Sequence, residues 1–317
     1  MIHLNRRKML VSSAVALLAL GACRGKSGDA GQIRVGYLRT QGPLVDMAID
    51  TAAIEQGSIK LFPFESGNDV LEAVIAGGID IGETGEVQPI FAQSAGHQVK
   101  VVGSTEPAPL TSMLVRGDGP LRRIEDLKGK KVSFIAGTNS HWLLISALEK
   151  AGLKQSDISP VSLGGADGLS ALFRGDIDAL VMTAPTTQVA LARGARALFT
   201  NQDLTNSALY YVATDKVIGE RPELLEGFLR ALSNHIRWTA QNPDRFVALA
   251  VKDLGVTPEV AKGLLAVLPK KLVPVGDGGI GAYNQRIADA FLTQRLIPAR
   301  IEAAQGVSGV FDKVLAA

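Results

Sequence analysis

The sequence predicts an α/β fold of two lobes, each built on a mostly parallel sheet, and three observations predict it. From Ile33 onward, short apolar runs alternate with amphipathic helical patterns, as in sheets covered by helices. A ten-residue segment, Leu71 to Asp80, recurs in order as Leu169 to Asp178: a helical stretch, a glycine stop, Ile-Asp, then an apolar run. Two more apolar runs, Thr111 to Val115 and Leu209 to Thr214, lie where the chain would leave a first lobe and return to it.

In chain order the strand candidates are Ile33 to Leu38, Ile59 to Phe64, Ile79 to Glu83, Val99 to Ser104, Lys131 to Ile135 and Ala179 to Thr183. Helical patterns fall between them over Val45 to Gln56, Asp69 to Ala76 and His141 to Ala151. Gly77 and Gly175 suit a left-handed helix C-terminus. The recurrence fits one unit used in both lobes, and it also fits the common look of any helix-to-strand connection. Asp80 and Asp178 read as turn-shaping residues. Adjacent Tyr210 and Tyr211 on a strand point to opposite faces, so at most one can face a cleft. The C-terminal third is helical over Pro222 to Gln241, Pro243 to Leu254, Pro258 to Val267 and Tyr283 to Thr293. The first three begin with proline, where the missing N–H costs nothing. This part is expected to rejoin the first lobe and cover its faces. The boundaries are then 33–112 plus 211–317 for lobe one and 113–210 for lobe two, with the two crossing strands as a hinge.

Ahead of the body, Arg6, Arg7 and Lys8 precede an apolar stretch from Met9 to Leu20, followed by Leu20-Gly21-Ala22-Cys23. A charged region, a short apolar region and small residues in that order are a signal peptide over 1–22, too short to span a bilayer as a permanent helix. The four residues ending in Cys23 resemble a bacterial lipobox, which implies lipidation of Cys23 and a tether over 23–32. A plain secretory signal with an incidental cysteine also fits, and Asn5 to Leu10 loosely matches a twin-arginine signal.

Cys23 is the only cysteine, so the body has no disulfide and no thiol nucleophile or ligand. The signal takes three of the 33 basic residues and none of the 31 acidic ones, leaving a near-neutral body with no electrostatic reason to bind nucleic acid. With four histidines in the whole chain, one of them in the signal, a histidine-rich metal site is not expected. No His-Glu-x-x-His helix, Gly-x-Ser-x-Gly elbow or P-loop occurs, and neither a metal nor a cofactor is expected.

Open α/β sheets bind ligands beyond the carboxyl ends of their strands, where the next helix begins. Those turns here are Arg39-Thr40-Gln41-Gly42, Glu65-Ser66-Gly67-Asn68 and Thr84-Gly85-Glu86, then Ala136 to Ser140 and Ala184-Pro185-Thr186-Thr187. They offer free N–H groups, hydroxyls and the positive ends of helix dipoles, so an anion fits them without lysine. Ordinary N-capping explains any one such turn equally well. Five of them together point to a site for a small anion.

Phe64 to Asn68, then Gly82 to Gly96 (Gly-Glu-Thr-Gly-Glu-Val-Gln-Pro-Ile-Phe-Ala-Gln-Ser-Ala-Gly), then Leu127 to Val132 with Gly137 to Leu144, resemble the aliphatic-sulfonate, taurine and nitrate group of ABC solute-binding proteins, above all its alkanesulfonate branch. The resemblance implies the two-lobed periplasmic-binding-protein fold of type II, with two sheets joined by two hinge strands. It implies a monomer that holds a sulfonate-like oxyanion between its lobes and delivers it to an ABC permease outside the cytoplasm. Carried over by position, the contacts fall on Thr40, Gln41, Ser66, Gly67, Asn68, Thr84, Gly85, Glu86, Thr138, Asn139, Ser140, His141 and Thr183. One segment departs: Thr183-Ala184-Pro185 stands where alkanesulfonate binders have Trp-Asp-Pro, which leaves the organic tail of the ligand open. His141 fits a ligand donor and equally a satisfied capping residue, Trp142 reads as core, and Arg39 as solvated. The competing functions are a same-fold enzyme and a sensory lobe. The sulfinate desulfinases on this fold use a cysteine that the body lacks.

Overall fold

The computed structural model describes residues 31–39 and 58–316. The expected signal, the lipidation at Cys23, the helix over Val45 to Gln56, and Thr40 and Gln41 lie outside the described residues.

Two sheets organise the rest. In the first, β1 (Ile33–Leu38), β2 (Ile59–Phe64), β3 (Ile81–Gly85), β4 (Val99–Thr105), β10 (Leu209–Thr214) and β11 (Leu272–Val273) take the order β11-β4-β10-β3-β1-β2. In the second, β5 (Thr111–Arg116), β6 (Lys131–Ser133), β7 (Ser159–Val161), β8 (Ala179–Thr183) and β9 (Ala195–Thr200) take the order β7-β6-β8-β5-β9. Each sheet has a parallel trio, β2-β1-β3 or β7-β6-β8, and then one antiparallel strand, β10 or β5. Those antiparallel strands are the two expected to cross. The chain passes from β4 to β5 and returns from β9 to β10, so each lobe receives a strand directly after the other lobe's last one. The two-lobed α/β architecture is thus present.

The recurrent segment is a shared unit. Helix α1 (Gly67–Ile75) ends at Gly77 with φ 72°, and its counterpart α4 (Gly165–Arg174) ends at Gly175 with φ 81°. Beyond each stop an aspartate clamps the neighbouring strand. The Arg34 N–H donates to Asp80 Oδ2 and the Asp80 N–H to the Arg34 carbonyl, both at 2.8 Å. The Lys131 N–H likewise donates to Asp178 Oδ2 at 2.8 Å, and the Asp178 N–H to the Lys131 carbonyl at 2.9 Å. These aspartates extend the parallel ladder by a side-chain bond, a larger role than shaping turns. Asp80 also pairs with Arg34 and Arg221, both at 2.8 Å.

The remaining helices are α2 (Gln88–Ser94), α3 (Asn139–Lys150), α5 (Thr186–Ala192), α6 (Asp215–Glu220), α7 (Pro222–Gln241), α8 (Pro243–Asp253), α9 (Pro258–Val267), α10 (Gly279–Thr293) and α11 (Asp312–Leu315). Leu225, Phe228, Leu229 and Leu232 of α7 pack on Ile33, Val35, Ile81 and Val102, so α7 covers a face of the first sheet as expected. The next two helices depart from that expectation. Phe246 and Ala250 of α8 and Val260, Ala261 and Leu264 of α9 pack on Ala184 and Val189, beside the second sheet. Val189 packs on both sides, against Leu169 and Leu172 of α4 and against the α8–α9 pair. Helix α10 lies at the junction, where Ile287 and Phe291 meet Val87 and Ile90 from the first lobe and Trp142 and Ile145 from the second.

Candidate functional site

A cleft of about 310 Å³ opens where the carboxyl ends of strands from both sheets face each other. Its walls are the N-terminal turns of α1 (Ser66, Gly67), α3 (Thr138, Asn139, Ser140), α4 (Gly165) and α5 (Thr186), with Gly85 and Gln88 between them. Local sequence explains each turn. Ser66 caps α1 by accepting the Asp69 N–H at 3.2 Å, and Gly67 brings the chain within 3.2 Å of Gln88 Cδ, measured from where a Cβ would stand. Thr138 gives its hydroxyl hydrogen to the Ile135 carbonyl at 2.7 Å and does not cap α3. Gly164 caps α4 and Pro185 caps α5, neither with a side-chain bond. The first N–H groups of a helix have no acceptor within it, so α3, α4 and α5 present bare donors to the cleft.

Of the residues expected at the site, Ser66, Gly67, Gly85, Thr138, Asn139, Ser140 and Thr183 line this cleft. Asn68, Thr84, Glu86 and His141 do not. Strand alternation explains two of these: with Gly85 facing the cleft, its neighbours Thr84 and Glu86 face inward and are fully buried. The Thr84 hydroxyl donates to the Gly85 carbonyl at 3.0 Å. Glu86 accepts the Ala208 N–H at 2.9 Å and the Tyr283 hydroxyl at 3.1 Å. Burial pushes its carboxyl up to about 7, although the bonds from Ala208, Tyr283 and Ser207 oppose the rise. His141 is buried and stacked on Phe134, with ring centroids 4.8 Å apart. Its Nδ1 accepts the Gly137 N–H at 3.2 Å, and burial lowers its pKa, so the ring stays neutral and braces the turn. Asn68 is exposed on α1 and is not part of the cleft lining.

Trp142 is core, its indole N–H donating to the Tyr283 hydroxyl at 2.9 Å. Neither tyrosine of the β10 pair reaches the cleft: Tyr210 bonds Asn284 at 2.9 Å and Tyr211 bonds Glu83 at 3.0 Å, on opposite faces. Arg39 is paired with Glu65 at the cleft rim, 3.1 Å apart.

Sequence reasoning passed over Gln88 and Gly165. Gln88 sits directly before Pro89 in the first turn of α2, and Gly165 follows Gly164 at the start of α4. Both pairs carried a signal, a polar residue before a helix-starting proline and a glycine pair before a helical run. Two amide oxygens there, Gln88 Oε1 and Asn139 Oδ1, are buried with no hydrogen-bond partner. Both crowd the space above Gly85, where a Cβ would stand 2.8 Å from Gln88 Oε1 and 2.9 Å from Asn139 Cγ. The other side of the cleft is apolar, from Leu38, Ile135, Met182, Ala184 and Pro185. Ile135 is 41% exposed, one of three large hydrophobic residues so exposed among the described residues. The arrangement suits a headgroup of acceptors against the helix ends and an organic tail against the apolar side. Among the described residues no group of three or more His, Cys, Asp or Glu side chains is placed to hold a metal ion.

The NMT1/THI5-like family model matches residues 58–246. A putative aliphatic sulfonates-binding protein of Escherichia coli (strain K12) is 33% identical over 309 residues, covering 96% of each chain. The crystal structure of the periplasmic aliphatic sulphonate binding protein SsuA from Escherichia coli superposes with a TM-score of 0.82 at 32% identity, over 88% of this chain and 92% of that one. The alkanesulfonate-binding protein SsuA from Xanthomonas axonopodis pv. citri, bound to MOPS, gives 0.78 at 27% identity, over 88% and 99%. With a family model that matches more than half of the chain and a relative of this identity along nearly all of it, the chain belongs to the NMT1/THI5-like family, among relatives that bind sulfonates.

Proposed function

We propose that this protein captures a small organic anion, a sulfonate, in the cleft between its lobes and hands it to an ABC permease. The observation that carries the reading is the convergence of bare helix N-termini from both lobes on one cleft whose described wall holds no lysine or arginine and one carboxylate, Glu65, paired with Arg39. A helix end stabilises an anion by about 0.3–1 kcal/mol, up to ~2 when partly buried, and a charge-assisted hydrogen bond contributes about 1.5–3. Several of each yield a net affinity near ~1 μM after the costs of association. The names of the sulfonate-binding relatives support the same ligand class.

In this reading the headgroup lies against Ser66, Gly67, Gly85, Asn139, Ser140, Gly165 and Thr186, and Thr183 stands beside the tail. The first sheet with α7 forms one lobe, the second sheet with α8 and α9 against it the other, and the passages from β4 to β5 and from β9 to β10 are the hinge. Cys23 carries a lipid that holds the monomer on the outer face of a membrane, within reach of the permease. No described helix is long and apolar enough to cross a membrane.

A thermal-shift screen of the mature chain with alkanesulfonates, taurine, nitrate and aromatic sulfonates tests the ligand class. A sulfonate that binds raises the melting temperature in proportion to the logarithm of its concentration. No shift with any of these anions at millimolar concentration refutes the reading.

A further inference from the structure

Two acceptors stand among the helix ends of the cleft. Gln88 is 6% exposed and lines the cleft from the first turn of α2. Its Oε1 is buried with no hydrogen-bond partner, 2.8 Å from where a Gly85 Cβ would stand. Its Nε2 lies toward α1, 3.4 Å from the position of a Gly67 Cβ. Asn139 holds its own unpartnered Oδ1 above the same Gly85, while its Nδ2 donates to the Ser207 hydroxyl oxygen at 3.3 Å. An acceptor buried without a donor is costly, and two over one glycine mark a place for a hydrogen that the chain does not supply.

We propose that the cleft also takes alkylphosphonates in their singly charged form, with the P–OH hydrogen accepted by Gln88 Oε1; the inference rests on the anion-binding reading above. A sulfonate brings three acceptor oxygens and no hydrogen, so it meets these amides only after each turns its nitrogen forward. Gln88 can turn because no bond holds its oxygen. Asn139 can turn because the Ser207 hydroxyl donates as readily as it accepts. A singly ionised phosphonate has the charge and tetrahedral shape of a sulfonate with one hydrogen added, and it fits the amides as they stand. Its O–H donates to Gln88, and its other two oxygens accept from the N–H groups of the helix ends. The doubly ionised form has lost that hydrogen and gained a charge, in a cleft whose described wall holds no lysine or arginine to offset it. A glutamate at position 88 would repel either anion and a lysine would only donate, whereas an amide carries both a donor and an acceptor.

The ionisable side chains nearest Gln88 are Glu65, paired with Arg39, and Asp69, which accepts the Ser66 hydroxyl hydrogen at 2.8 Å. Glu86 lies buried behind Gly85, and His141 braces the turn before α3. A sulfonate and a phosphonate of equal length meet all of these alike. A pH effect common to both ligands belongs to the protein, and an excess for the phosphonate belongs to its hydrogen.

The test is calorimetry of the mature chain with ethylphosphonate and ethanesulfonate at pH 6 and pH 9, in buffers of different ionisation enthalpy. Ethylphosphonate carries one charge at pH 6 and mostly two at pH 9, while ethanesulfonate carries one at both. Ethylphosphonate is expected to bind at pH 6 and to weaken by up to about tenfold at pH 9, beyond any change for ethanesulfonate, because only its singly charged fraction is competent. Up to about one proton should be taken up on binding at pH 9, by the phosphonate itself. Gln88→Met keeps the side-chain volume and removes the acceptor, so the excess should shrink to about threefold or less. Ethylphosphonate that fails to bind at pH 6 where ethanesulfonate binds overturns the proposal, as does an ethylphosphonate affinity equal or higher at pH 9. An excess that Gln88→Met leaves intact overturns the assignment of the acceptor to Gln88. If neither anion binds at either pH, the anion-binding reading itself fails and this inference falls with it.

Discussion

Asn139 and Gly85 meet across the floor of the cleft: the amide of one occupies the space that a side chain on the other would fill, with Asn139 Cγ 2.9 Å from the position of a Gly85 Cβ. One residue ends a strand of the first sheet and the other begins a helix on the second, so their contact joins the lobes at the point where the helix ends converge.

Gly85→Leu should therefore abolish ligand binding and leave the fold intact. The backbone at Gly85 is not among the positive-φ glycines, so the cost is contact with Asn139 and Gln88, both at the cleft. Circular dichroism should match the wild type while calorimetric affinity falls by at least about a hundredfold, ~3 kcal/mol. Unchanged affinity would remove Gly85 from the site.

Thr183→Trp restores the aromatic wall common in alkanesulfonate binders. Thr183 is half-buried at the end of β8, beside Met182, Ala184 and Pro185, and the larger ring takes volume from a cleft of about 310 Å³. Affinity for an aromatic sulfonate should fall by roughly tenfold or more, about 1.4 kcal/mol, while a two-carbon sulfonate is spared. Equal losses for both would show that Thr183 does not face the tail.

Ligand-free stability should fall as pH rises through neutrality because of Glu86. Its folded pKa, about 7, is above the ordinary 4.5, so the fold favours the protonated form. The contribution is fully present below about pH 4.5 and is lost as pH rises through 7, an effect of at most about 3 kcal/mol. Chemical denaturation at pH 5 and pH 8 should show this loss in the wild type and its near absence in Glu86→Gln.

Asp80 works in the opposite sense. Burial alone would raise its pKa, but the bonds and charges of Arg34 and Arg221 outweigh burial and lower it. Its contribution is present above the ordinary carboxylate pKa and is lost as pH falls through the lowered folded value. Asp80→Ala leaves two guanidinium groups that are 29% and 22% exposed, so water relieves part of the loss, and a decrease of roughly 2–3 kcal/mol in unfolding free energy is expected. Asp178→Ala, lacking such partners in the second sheet's copy of the unit, should lose less.

Much of this arrangement was legible in the order of residue types, and the misses have local causes. The run Ile59 to Phe64 was bounded by turn residues, and β2 has those ends. Ile79 looked like the start of a strand, yet β3 begins at Ile81, because Asp80 spends its side chain on Arg34 before the regular ladder starts. Strand β7 is three residues with a proline in the middle, too short for any pattern. At the site, the turn chemistry of Ser66 to Gly67 and Thr138 to Ser140 marked the helix ends. The inward turn of Thr84, Glu86 and His141 depended on which face of β3 and α3 the rest of the chain covers. The packing of α8 and α9 on Ala184 was likewise hidden, since an amphipathic pattern shows that a face is buried and not what buries it.

The most direct test of the account is to follow the backbone amides of isotope-labelled protein by NMR during titration with pentanesulfonate. The amides of Gly67, Asn139, Ser140, Gly165 and Thr186 should shift together and saturate with one dissociation constant, from turns of both lobes at once. Saturable shifts that leave these five amides in place and gather elsewhere would contradict it.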